Sequence, residues 1–96
     1  MTETARKELY RSAVAKFGQF QQIDSAIEEM SELTKELCKF KRGVDNRDAI
    51  VEEFADTIIC LEQIKLMFML NEEEVRNCMD YKLDRLEKRI HGKKDY

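Results

Sequence analysis

Apolar residues recur along this chain at the spacing that lines one face of an α-helix. Ile23, Ile27, Met30, Leu33, Leu37 and Phe40 make one such face, and Val75, Met79, Leu83, Leu86 and Ile90 make another. Between them runs Ile50-Val-Glu-Glu-Phe-Ala-Asp-Thr-Ile-Ile-Cys-Leu61, apolar nearly all round, as befits a helix covered by neighbours on several sides. Nothing alternates with period two, so no strand is expected. Gly18 interrupts a first helical stretch over roughly 3–17. Gly43 follows a basic last turn, Cys38-Lys-Phe-Lys-Arg42, where glycine takes the left-handed position that ends a helix. Asp45 or Asn46 can cap the next helix, which the pattern carries to about residue 70. Asn71-Glu-Glu-Glu74 then reads as an N-cap with acids in the first turn. The pattern predicts an all-α chain, a four-helix bundle in one domain over 1–96, with a tail from about Gly92.

Composition adds limits to this picture. Charged residues make up 39% and apolar ones 43%, with no proline and three glycines, a balance that favours helices throughout. Net charge is −3 with both signs interspersed, so no nucleic-acid partner is expected. No apolar run is long enough to span a membrane, and Met1-Thr-Glu-Thr-Ala lacks the features of a signal peptide, so the expected location is the cytoplasm. Cys38, Cys60 and Cys78 stand one per helical segment without Cys-x-x-Cys spacing, which reads as buried thiols. A chain of 96 residues buries a modest core, alone or shared with another copy.

The acids change the picture more. Glu29, Glu32 and Glu36 form a line at the edge of the second helix's apolar face, with Lys35 and Lys39 expected off to the side. On the third helix, positions 53, 56, 60, 64 and 67 make a heptad-like seam, and Glu53 and Asp56 occupy two of its core positions. The two helices are joined by a short turn and should pack antiparallel. Glu29 and Glu32 precede Gly43 by about as many residues as Glu53 and Asp56 follow it, so both pairs fall at one level. Carboxylates crowded beside an apolar seam are costly unless a positive charge meets them. An all-oxygen ligand set favours Mg2+, with Mn2+ as a substitute. Di-iron bundles need Glu-x-x-His on two helices, and His91, the one histidine, stands near the tail.

Taken together, Glu28-Glu29-Met-Ser-Glu32 and Glu52-Glu53-Phe-Ala-Asp56 resemble the paired E-E-x-x-E and E-x-x-D motifs of the MazG-like, all-α nucleoside triphosphate pyrophosphohydrolases. The approach Phe17-Gly-Gln-Phe-Gln-Gln22 and the basic Lys82-Leu-Asp-Arg85 are similar to segments of its short members. The resemblance covers about residues 8–90 and implies the family's oligomeric, bundle-type fold. It implies Mg2+ ligation by Glu29, Glu32, Glu53 and Asp56, phosphate binding by Lys82 and Arg85, and a nucleotide pocket lined by Gln22. A carboxylate not fully committed to metal would activate water: Glu32 first, then Glu28 and Glu36. The implied reaction converts a nucleoside triphosphate and water to the monophosphate and pyrophosphate, in a homodimer or homotetramer. Base stacking would fall to Tyr10, Phe17, Phe20 or Tyr81, since tryptophan is absent. Two alternatives are a phosphoribosyl-ATP pyrophosphohydrolase-like activity and a non-enzymatic helical module that dimerises and binds a protein.

Overall fold

Four helices and no strand make up residues 1–92, which the computed structural model describes: α1 (Glu3–Phe17), α2 (Gln19–Lys41), α3 (Arg47–Met67) and α4 (Glu72–Ile90). The expected tail, beyond Gly92 itself, lies outside the described residues. The Thr2 hydroxyl closes the first turn of α1 by accepting from the Ala5 N–H at 3.1 Å. A single residue, Gly18, joins α1 to α2 with φ 91, a left-handed conformation that costs glycine little. Asn71 caps α4 as its sequence suggests, its side chain accepting from the N–H groups of Glu73 at 2.8 Å and Glu74 at 3.4 Å.

Asn46 departs from expectation. It holds the N-cap position of α3, but its side chain makes no cap hydrogen bond. Its Nδ2 instead donates backwards to α2, to the Glu36 carbonyl at 2.8 Å and to Glu36 Oε1 at 3.0 Å. The turn between α2 and α3 is thereby tied from inside, and the two helices fold back on each other as a hairpin. α1 leans on both.

α4 packs against none of the other three helices. It leaves α3 through residues 68–71, where Met69 adopts φ 50 and the Leu70 N–H donates to the Lys65 carbonyl. Lys65 and Glu72 form an ion pair across this connection. The expected bundle therefore does not close within one chain. Among the described residues, only Tyr10, Ala26 and Cys60 are buried apolar residues, no large side chain is completely enclosed, and α4 buries nothing. Cys38 and Cys78 are exposed, so the expectation of buried thiols holds for Cys60 alone.

Candidate metal-binding carboxylate cluster

The α2–α3 hairpin brings Glu29 opposite Glu53 and Asp56. One carboxylate oxygen from each of the three lies within 4.8 Å of the others, the one such grouping of acids, histidines or cysteines among the described residues. The level follows from the turn: residues equally far before and after it sit side by side, at 1.5 Å of rise per residue. Glu29 and Glu53 are half-buried and Asp56 is exposed. None of the three forms an ion pair with lysine or arginine among the described residues. Glu53 Oε2 is buried without any hydrogen-bond partner. Burial pushes the Glu29 carboxyl above its ordinary range, and the charge of Asp56 and the contact with Glu53 push in the same direction. The Cys60 thiol, beside the same group, is raised by burial and then by Glu29 and Asp56, which keeps it protonated.

The other acids of α2 sit differently. Glu32 is half-buried and lies outside the three-residue group, 3.9 Å from Lys35 Nζ. Glu28 is exposed. Glu36 is buried at the hairpin end, bonded to Asn46 and 3.2 Å from Lys39 Nζ. The Asn46 hydrogen bond, with Lys39 behind it, outweighs burial and holds the Glu36 carboxyl below the ordinary range. Lys35 and Lys39, expected to stand apart from this line of acids, each reach back three residues to pair with it. Glu36 is thus a structural tie rather than a free base.

Gln22 is buried and accepts from Gln63 Nε2 at 3.0 Å, which pins α2 to α3. Its side chain faces the helix interface. Lys82 and Arg85 ride on α4, and a helix that packs along neither α2 nor α3 does not bring them to the carboxylates of its own chain. Of the aromatic residues, Phe17, Phe20 and Tyr81 are exposed and Tyr10 is buried.

A second feature had no signal in the sequence. The Tyr10 hydroxyl donates to Glu62 Oε2 across 52 positions of chain, and Arg6 Nε stands 3.8 Å from the same oxygen. Burial first, and Glu62 second, raise the Tyr10 phenol above its usual range. Beside this pair, α1 and the end of α3 enclose a groove of about 810 Å³ lined by Arg6, Tyr10, Arg11, Glu62 and Leu66 among others. It shares no residue with the carboxylate cluster.

No known family model matches the chain, and neither a curated protein nor a solved structure does. Among the described residues, no helix is long and apolar enough to cross a membrane.

Proposed function

We propose that this protein is a Mg2+-dependent nucleoside triphosphate pyrophosphohydrolase that acts on cytoplasmic nucleotides as a homodimer or homotetramer. One observation carries the reading. Glu29, Glu53 and Asp56 converge without a basic partner, and one buried oxygen of Glu53 is left with nothing to bond. Buried polar atoms without partners are rare and call for a missing one. The donors are all carboxylate oxygens, the ligand type of Mg2+ or Mn2+. Glu29, Glu53 and Asp56 would hold the ion, with Glu32 joining from the next turn of α2. When bound, Mg2+ neutralises charge on phosphate oxygens and favours pyrophosphate as leaving group.

The protein groups then divide the remaining work. Glu32, held only loosely by Lys35 at 3.9 Å, orients the attacking water and takes up its proton, with Glu28 the next choice. Glu36 is withdrawn from that role by Asn46 and Lys39. Lys82 and Arg85 bind the triphosphate. The deciding experiment incubates the protein with each ribo- and deoxyribonucleoside triphosphate plus Mg2+ and measures pyrophosphate against orthophosphate. Monophosphate and pyrophosphate are expected, with none formed in chelator. Orthophosphate with a diphosphate left behind would reject the reading, and so would no turnover of any nucleotide with Mg2+ or Mn2+.

A further inference from the structure

Close-packed helices leave few voids larger than a water molecule. The groove between α1 and the end of α3, at about 810 Å³, is far larger. It falls within the range of small-molecule sites, about 300–1,000 Å³. Its apolar lining comes from Val14 of α1, Leu66 and Met67 of α3, and Met69 and Leu70 of the connection to α4. Tyr10 is the one aromatic residue there, so the lining offers an aliphatic surface more than a stacking platform. Methionine in particular adapts to the shape of an apolar body. On α1 the lining runs from Glu3 to Ala15, which is about 18 Å of helix and room for an extended chain.

Fixed groups shape the groove. Tyr10 is 6% exposed, and its hydroxyl is committed to Glu62, which ties α1 to α3. Met69 holds φ 50, and the N–H groups of Met69 and Leu70 donate to the Leu66 and Lys65 carbonyls at 3.2 and 3.0 Å. A preformed cavity spares a ligand the cost of ordering it.

Charge then selects the ligand. The lining carries three acids, Glu3, Glu62 and Glu72, and four bases, Arg6, Lys7, Arg11 and Lys65. Each acid has a base of its own: Glu3 lies 3.4 Å from Lys7, Glu62 lies 3.8 Å from Arg6, and Glu72 pairs with Lys65. Arg11, which is exposed, forms no ion pair among the described residues. One positive charge is left over beside an apolar hollow. It matches one negative charge joined to an apolar body, and a guanidinium takes a carboxylate through two parallel hydrogen bonds. A di- or triphosphate would bring more charge than the lining can meet, and a cation would face like charge.

We propose that this groove binds an amphipathic monocarboxylate, a medium-chain fatty acid, with its head on Arg11 and its chain along Leu66, Met67, Met69 and Leu70. The site is separate from the carboxylate cluster and stands whether or not a nucleotide is hydrolysed. Since the connection to α4 forms part of the lining, a bound ligand touches the segment from which α4 departs.

Calorimetric titration of the full chain with decanoate, kept below its micelle-forming concentration, tests the site. One decanoate per chain is expected to bind saturably. Decanol, the body without the charge, and acetate, the head without the body, should each bind at least tenfold more weakly. Arg11→Gln should weaken decanoate at least tenfold, and Arg11→Glu should prefer decylammonium to decanoate. Should either variant not fold, hydrogen exchange in the wild type still decides. Decanoate should slow exchange of the Met69 and Leu70 amides and leave those around Glu29 unchanged. Uptake without saturation, or of several molecules per chain, places the ligand on exposed apolar faces and overturns the proposal. So does an absence of binding, as when a second copy already covers the groove. Decanol binding as tightly as decanoate, Arg11 variants that bind decanoate like the wild type, or slowed exchange elsewhere than the groove also overturn it.

Discussion

Removing one charge from the carboxylate cluster is expected to stabilise the metal-free protein while abolishing its activity. Asp56→Asn is the informative change, because it keeps the shape of the side chain and Asp56 forms no ion pair with lysine or arginine among the described residues. Asp56 faces both Glu29 and Glu53 with oxygens no more than 4.8 Å apart. At that separation two like charges repel by about 1 kcal/mol in a water-like dielectric, and exposure of Asp56 keeps the value near that low end. Two such pairs sum to about 2 kcal/mol. Glu29 relieves part of this by taking up a proton, since its carboxyl is raised by burial and by Asp56. A net gain of about 1 kcal/mol remains, which in a domain of this size raises the melting midpoint by about 4–8 °C. A raised folded-state pKa adds stability that is complete below the unfolded value, about 4.3, and is lost as pH rises through the folded one. The wild type in chelator should therefore weaken as pH climbs above that point, and the variant should show a shallower slope. In the wild type, Mg2+ at a hundred times its dissociation constant should restore about 2.7 kcal/mol by mass action. The variant should respond far less. Circular-dichroism melts with and without chelator, at one fixed protein concentration, give all three readings. A variant that melts several degrees below wild type in chelator would show Asp56 to be a structural partner and remove the cluster's central premise.

Lys82→Ala and Arg85→Ala should each cost about 1.5–3 kcal/mol in kcat/KM, the worth of a charge-assisted bond to phosphate, while Mg2+ binding by calorimetry stays near wild type. Wild-type kinetics in both would return these residues to the role of balancing the dipole of α4. Tyr10→Phe removes the hydroxyl that Glu62 accepts and should cost about 1–2 kcal/mol of stability in denaturant titrations, without change in activity. Asn46→Ala frees Glu36 and should lower the melting midpoint at neutral pH. Because Asn46 and Lys39 depress the Glu36 carboxyl, its contribution is present above about pH 4.3 and lost as pH falls through the lower folded value. The gap between variant and wild type should accordingly close in acid; a constant gap would assign the effect to the backbone turn alone.

Local signals in the sequence placed every helix, since Gly18, Gly43 and Asn71 act through their own backbone and nearest neighbours. The level of Glu29 with Glu53 and Asp56 was legible too, because a short turn between long helices fixes register by counting. Three things were not. Asn46 turned away from its own helix because Glu36 draws its Nδ2 toward α2, an orientation that leaves Oδ1 without a partner and that helix-capping rules do not weigh. Glu32 lies outside the tight cluster, its carboxylate paired with Lys35 on the same helix, a competition that counting residues does not reveal. That α4 stands apart from α1, α2 and α3 was not legible, because an apolar stripe marks one side of a helix and does not say what packs on it.

The near absence of an interior also sets how the chain reaches its folded state. With Tyr10, Ala26 and Cys60 as its buried apolar residues, one copy has little to collapse around. Helices form within microseconds, and with no proline in the sequence no slow peptide-bond isomerisation can delay them. In the homo-oligomer proposed above, the slow event left is the meeting of copies. Refolding should then be second order, its half-time lengthening in proportion as the protein is diluted, and a newly made chain waits for company before it becomes durable.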